Sequence, residues 1–175
     1  MDTALFVLHA VIGLLFVGHG LQKLAGLFGG HGLEGTGAFF ESLGLRPGRL
    51  HAAAAGLAET VGGALLAVGL LIPLAAALLV AVMTTAVTLI HGKKGPWNQE
   101  GGFEYNLVLV AALFLLATAG GGDASIDNAI DLGATGLGWG IAAVAAGLVG
   151  GLGAVLSGRL ASRGASGDPH MTSTA

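Results

Sequence analysis

Polar side chains that stand within or beside long apolar stretches are the residues of this chain that could do chemistry. They are His19, Glu59, His91, Glu104 and Asn106. A charged group at the centre of a membrane helix costs about 2.5 to 3.5 kcal/mol, so such a group implies a partner, a ligand or a proton-handling role. Imidazole, carboxyl and amide groups together favour hydrogen bonding to the polar head of a ligand, or proton transfer to it.

Glu59 is the most informative of these residues because Thr60 is its only polar neighbour inside a long apolar stretch. A carboxyl group in that position needs a partner or must be protonated. Gly56, Gly62 and Gly63 flank it at helical spacing and would allow a second backbone to approach closely. We therefore expect Glu59 to point into a helical bundle.

The composition indicates that these residues belong to a membrane protein. Of the 175 residues, 54% are hydrophobic and only 10% are charged, whereas about a quarter of a soluble chain is charged. The length predicts one bundle and no second domain. The absence of cysteine excludes disulfides and thiolate metal sites, and a net charge of −3 without a basic cluster argues against nucleic acid as a partner.

The apolar segments predict an all-α membrane protein with a four-helix transmembrane bundle and a fifth C-terminal helix. A helix running through residues 52–90 would be about 58 Å long, nearly twice the hydrocarbon core, so the chain must fold back near Pro73. The fourth segment reaches spanning length only if Glu104, Tyr105 and Asn106 form its first turn. The predicted core spans are Ala4–Leu21, 53–71, 74–90 and Phe103–Ala119.

The basic residues predict the orientation of the bundle in the plasma membrane. With five spans, all 7 lysines and arginines fall on one side. The positive-inside rule then places the N-terminus outside and the C-terminus in the cytoplasm. The predicted organisation is a four-helix membrane core over residues 1–120, an acidic external loop (121–135), a fifth span (136–156) and a disordered cytoplasmic tail (157–175).

This arrangement predicts a polar layer near the cytoplasmic ends of four helices. His19, Glu59, His91, Glu104 and Asn106 would form a ligand-binding or proton-handling group there. The rim of this pocket would be Gln22, Lys23, Trp97 and Tyr105. The alternative is a hydrogen-bonded plug that fixes helix register. His9 lies near the opposite end, where we expect it to be hydrated and outside the group.

The loop between the first two spans is long and apolar. Thr36 is expected to cap a short helix in which Phe39, Phe40 and Leu43 share a face. That helix lies in the membrane interface or folds back over the bundle, or it belongs to a re-entrant loop that closes a pocket from the cytoplasmic side.

Resident cofactors are not expected. His19 and His91 could ligate a haem only if they faced each other, and neither an HExxH nor an ExxH pair is present. We therefore predict no metal site and no intrinsic cofactor, although the polar layer suits a lipophilic ligand with a polar head.

The sequence resembles the DoxX family of small bacterial inner-membrane proteins. The resemblance covers about residues 4 to 120 and rests on four stretches: GLLFVGHGLQKLAGLFGG, GTGAFFESLGL followed by Pro47, AETVGGALLAVGLLIP, and MTTAVTLIHGKKGPW with GGFEYNL. It implies a four-helix membrane core. The family takes its name from a subunit of a thiosulfate:quinone oxidoreductase, and related members are linked to redox and oxidative-stress assemblies.

The resemblance favours an accessory or quinone-facing subunit of a membrane redox assembly, at most an oxidoreductase subunit rather than a stand-alone enzyme. Its expected partners are the lipid bilayer, a soluble or membrane redox protein and further copies of the chain. Two other functions stay open: a proton-coupled transporter of a small molecule that uses Glu59, and a noncatalytic scaffold for a soluble enzyme.

Overall fold

The computed structural model describes residues 2–166, and every regular element within them is helical. The helices are α1 (Asp2–Ala25), α2 (Gly32–Ser42), α3 (Gly48–Ala67), α4 (Ile72–Ala86), α5 (Glu104–Ala119), α6 (Ile126–Ala129) and α7 (Leu137–Ser166). A π-helical turn, Val87–His91, and a 3-10 turn, Gly92–Lys94, continue α4. The predicted all-α class is confirmed.

Four helical segments are long and apolar enough to cross a membrane: Asp2–Ala25, Gly48–Ala67, Ile72–Lys94 and Leu137–Arg163. The predicted fifth span is thus among these four. The predicted fourth span, α5, has 16 residues and is about 24 Å long, which is shorter than the hydrocarbon core of about 30 Å. It packs against α4 and α7 in the same bundle. The chain is a multi-pass membrane protein.

The turn between α3 and α4 lies where Pro73 predicted it. Pro73 stands in the first turn of α4, where a backbone N–H has no helical partner to lose. Before it, Leu71 has a left-handed backbone with φ 50°. The hairpin is therefore confirmed, with α3 ending at Ala67, earlier than the expected 71.

The predicted acidic loop folds onto this turn as an ordered segment containing α6. The carboxylate of Asp127 accepts hydrogen bonds from the backbone N–H groups of Leu71 (2.7 Å) and Ile72 (3.0 Å). The backbone N–H of Asp127 donates to the carbonyl of Gly69 at 2.9 Å. A negative group at the N-terminus of α4 is also favoured by the helix dipole.

Glycines bring α1 and α3 into backbone contact. A Cβ atom on Gly63 would lie 2.6 Å from the carbonyl oxygen of Gly13, and one on Gly20 would lie 2.7 Å from that of Gly56. Neither position tolerates a side chain without moving a helix. The close approach expected beside Glu59 is confirmed.

Helix α7 packs along α4 in the same way. A Cβ atom on Gly147 would lie 2.5 Å from Val80 Cβ, and one on Gly151 would lie 2.5 Å from the carbonyl oxygen of Ala81. These two glycines therefore set the distance between the helices.

The helix α7 continues to Ser166, well past the predicted end at Leu156. The expectation of disorder is wrong for residues 157–166, because this part of α7 packs on the connection between α2 and α3. There the backbone N–H of Arg46 donates to the carbonyl of Gly158 at 3.2 Å. The rest of the predicted tail, residues 167–175, lies outside the described residues.

The helix α2 begins one turn earlier than predicted, so Thr36 lies inside it and caps nothing. Its first turn contains Glu34, whose carboxylate suits a helix N-terminus. The helix packs against α3, with Phe40 buried and Phe39 exposed.

The long helices alternate in direction, so the loops gather at two ends. Arg46 meets Gly158 at one end, whereas Gly122 lies beside Asp2 at the other. The first of these, called the basic end below, carries Lys23, Arg46, Arg49, Lys93, Lys94, Arg159 and Arg163.

Candidate functional site

A cavity of about 820 Å³ lies between the helices near the basic end. Ligand pockets commonly measure about 300 to 1,000 Å³, so a lipophilic molecule of moderate size would fit. Most of the lining is apolar and includes Ile12, Phe16, Phe40, Met83, Leu89 and Leu109. The polar lining residues are His19, Gln22, Lys23, His31, Thr36, His51, Glu59, Thr85, His91, Asn98, Tyr105 and Asn106.

Most of the residues singled out in the sequence meet in this cavity. The lining contains His19, Glu59, His91 and Asn106 from the predicted ligand-handling group, and Gln22, Lys23 and Tyr105 from the predicted rim. Glu104 and Trp97 are outside it. Because α5 begins at Glu104, that residue faces the preceding connection, where its Oε2 accepts from the backbone N–H of Asn98 at 3.1 Å. Trp97 is 61% exposed.

The partner that Glu59 requires is Lys23. Glu59 is 2% exposed, and the Nζ atom of Lys23 donates to both of its carboxylate oxygens, at 2.8 and 2.6 Å. Lys23 stands in the last turn of α1, where the helix dipole favours a cation. Its flexible stem lets the ammonium group reach inward to a carboxylate on the neighbouring helix. The site therefore contains an ion pair rather than a lone charge.

His19 is held by the amide of Gln22. The Nδ1 atom of His19 lies 3.1 Å from Gln22 Oε1, and Gln22 Nε2 donates to the carbonyl of Phe28 at 3.1 Å. The second bond orients the amide so that its oxygen faces the imidazole. This local network fixes the ring at the end of α1.

His91 closes the π-helical turn at the end of α4. A π turn adds a residue to the helical turn and is often found at functional sites. The Nδ1 atom of His91 donates to the carbonyl of Gly101 at 2.7 Å. The bond joins α4 to the connection that precedes α5.

Asn106 is buried, with 6% of the residue exposed. Its Nδ2 atom donates to Met83 Sδ at 3.3 Å. A thioether is a weak acceptor, so most of the hydrogen-bonding capacity of this amide is left for other partners.

His31, Thr36 and His51 also line the cavity and were not predicted. The sequence does contain a signal for His51. The α3 positions in the lining are 51, 54, 55, 58 and 59, which follow the spacing of one helix face and so place His51 on the same face as Glu59. His31 and Thr36 depend on how α2 folds back, which no local pattern specifies.

The helices outside the predicted four-helix core complete the cavity. On α2, the lining includes Thr36, Phe39 and Phe40, so this helix folds back over the bundle. On α7, the lining includes Gly150 and Gly151.

Among residues 2–166 no three histidine, aspartate or glutamate side chains come together as a metal ion would require.

His9 is buried, contrary to the expectation that it is hydrated. It is 0% exposed, and neither of its ring nitrogens has a hydrogen-bond partner. Its ring packs edge-on against Phe6, with the centroids 5.5 Å apart. The expectation failed because the segment around Ser125 folds back over the turn at Gly69 and covers this part of α1.

The fold and the cavity together define a class: a multi-pass helical membrane protein with a ligand-sized pocket at its basic end. The DoxX family model matches residues 4–92, which is half of the chain. The chain belongs to the DoxX family, as its sequence indicated. The match includes His19, Glu59 and His91 and ends before Asn106 and α7. No curated protein and no solved structure matches the chain.

Proposed function

We propose that this DoxX protein binds a lipophilic ligand with a polar head, of the quinone type, as an accessory or quinone-facing subunit of a membrane redox assembly. The observation that supports this is the cavity, a mostly apolar volume of about 820 Å³ whose lining includes imidazole, amide and carboxyl groups. An isoprenoid or alkyl tail fits among side chains such as Leu89 and Leu109. The head then meets His19, His91 and Asn106.

In this role the chain positions the ligand, and a partner exchanges electrons with it. The chain has no cysteine for cluster ligation or thiol redox chemistry, so the redox partner is a second protein. Histidine side chains beside the head could form hydrogen bonds with it or exchange a proton with it. The Lys23–Glu59 ion pair places two charged groups in the wall of the cavity but adds no net charge.

We also propose that the basic end faces the cytoplasm and that the membrane is the plasma membrane. The positive-inside rule supports this orientation, because the loops at that end carry the basic residues. The cavity then lies in the cytoplasmic half of the bilayer, within reach of a soluble redox partner.

The test is titration of the purified protein in detergent with a short-chain quinone analogue. We expect saturable binding of the oxidised or the reduced form, and the form that binds more tightly should lose about 3- to 10-fold in affinity in His19→Phe and in His91→Phe, since one hydrogen bond contributes about 0.5 to 1.5 kcal/mol. Glu100→Gln, at an exposed position outside the cavity, is the matched control and should bind as the wild type does. Lack of saturable binding, or equal affinities in all four proteins, would leave the scaffold function ahead.

A further inference from the structure

Two of the histidines that line the cavity, His19 and His91, bind protein oxygens through the same ring nitrogen. His19 uses Nδ1 toward Gln22 Oε1, and His91 uses Nδ1 toward the carbonyl of Gly101. A carbonyl oxygen only accepts, so Nδ1 carries the proton in both rings. In the neutral imidazole the other nitrogen, Nε2, is then an acceptor.

The acceptors themselves fix which ring nitrogen of each histidine carries the proton. The Gly101 carbonyl belongs to the backbone and cannot exchange its oxygen for a donor. The Gln22 amide could be turned over in principle, but its Nε2 donates to the Phe28 carbonyl at 3.1 Å, which orients Oε1 toward His19. The tautomers of both rings are thus set by their surroundings.

Asn106 adds a third acceptor to the same cavity. Its amide nitrogen is directed to Met83 Sδ, and among the described residues no donor is bonded to its Oδ1. The same holds for Nε2 of His19 and of His91. The ammonium of Lys23 already binds both oxygens of Glu59 and has one N–H group left. His19, His91 and Asn106 thus each bring one unused acceptor to the cavity.

We propose that the cavity selects a ligand whose head carries hydroxyl donors, a hydroquinone or related phenol, over the oxidised quinone with carbonyl acceptors. This inference rests on the proposed function and specifies the redox form of the ligand. A hydroxyl group can donate to the imidazole nitrogens and to Asn106, whereas a quinone carbonyl would oppose one lone pair to another.

The experiment compares the two redox forms of one short-chain benzoquinone analogue under anaerobic conditions, with reductant present only for the hydroquinone. We expect the hydroquinone to bind the wild type at least about 10-fold more tightly. His19→Phe and His91→Phe should each lower affinity for the hydroquinone while changing that for the quinone less than about twofold. A merely structural role for the histidines would lower both affinities together.

Gln22→Leu tests the tautomer directly. Without the amide oxygen the His19 ring is free to carry its proton on either nitrogen, so the preference for the hydroquinone should fall by about 3-fold or more. Glu100→Gln is again the control and should keep the wild-type preference.

The outcomes separate this inference from the proposed function. Equal binding of both forms, or tighter binding of the quinone, would overturn the selection of the reduced form and leave the quinone-type site standing. If neither form binds, both proposals fail.

Discussion

At the scale of single residues, the Lys23–Glu59 pair predicts an unequal response to mutation. Lys23→Met leaves a buried carboxyl without a cation, whereas Glu59→Gln leaves an ammonium that can extend toward the interface, since the Lys23 side chain is already 24% exposed. Removing one partner of a buried pair costs about 3 to 5 kcal/mol, and we expect Lys23→Met to approach that cost and Glu59→Gln to stay well below it. Thermal unfolding in detergent measures both.

The double variant Lys23→Met/Glu59→Gln is the control for this coupling. It should be more stable than Lys23→Met alone, because it leaves no unpaired charge in the bundle. Strictly additive losses would mean that the two side chains do not act as a pair.

How well single residues could be predicted depended on how local their surroundings are. A carboxyl inside an apolar helix needs a partner whatever the fold, so the partnership of Glu59 followed from the sequence alone. The burial of His9 did not, because its ring lies beside Gly69 of the α3–α4 turn, onto which Ser125 folds, and both residues are far along the chain. Glu104 was wrongly expected in the cavity, because the residue at which α5 begins decides the direction of its first side chains.

At the scale of elements, the close approach of α7 to α4 predicts a sharp difference between two neighbouring glycines. Gly151→Leu places a side chain against the Ala81 carbonyl and Thr84, whereas nothing lies within 4 Å of a Cβ on Gly153. We expect the first variant to separate the helices, lowering the melting temperature and weakening ligand binding. Gly153→Leu should be neutral or stabilising, because leucine favours a helix over glycine by about 1 kcal/mol. Equal effects would contradict the packing of α7 on α4.

Helix ends were predictable where the chain itself marks them. Pro73 has no backbone N–H, so the α3–α4 turn could be located without a structure. The end of α7 could not, because the helix is prolonged by contacts with Gly44 and Arg46 in the connection between α2 and α3. Local periodicity likewise could not distinguish the alternative placements of α2, so its role in lining the cavity could not be predicted.

At the scale of the whole molecule, the orientation can be tested with single cysteines, since the chain has none of its own. Ala124→Cys and Arg163→Cys lie at opposite ends of the bundle and are both exposed, whereas Ser125 is buried and unsuitable. In intact cells we expect a membrane-impermeant maleimide to label the first and not the second. After permeabilisation both should react. External labelling of both would refute the proposed topology.

The contact of Asp127 with the α3–α4 turn also has a consequence for biosynthesis. The carboxylate that caps the start of α4 lies 56 positions after Leu71 in the chain, beyond the whole of α5. During translation the hairpin is therefore made before its cap exists, and its exposed N–H groups at first have only water or lipid head groups to bind. The cavity is completed later still, when Gly150 and Gly151 of α7 arrive. In a nascent chain of this protein the first helices are therefore present early, whereas the wall of the cavity is complete only when the last helix has been made.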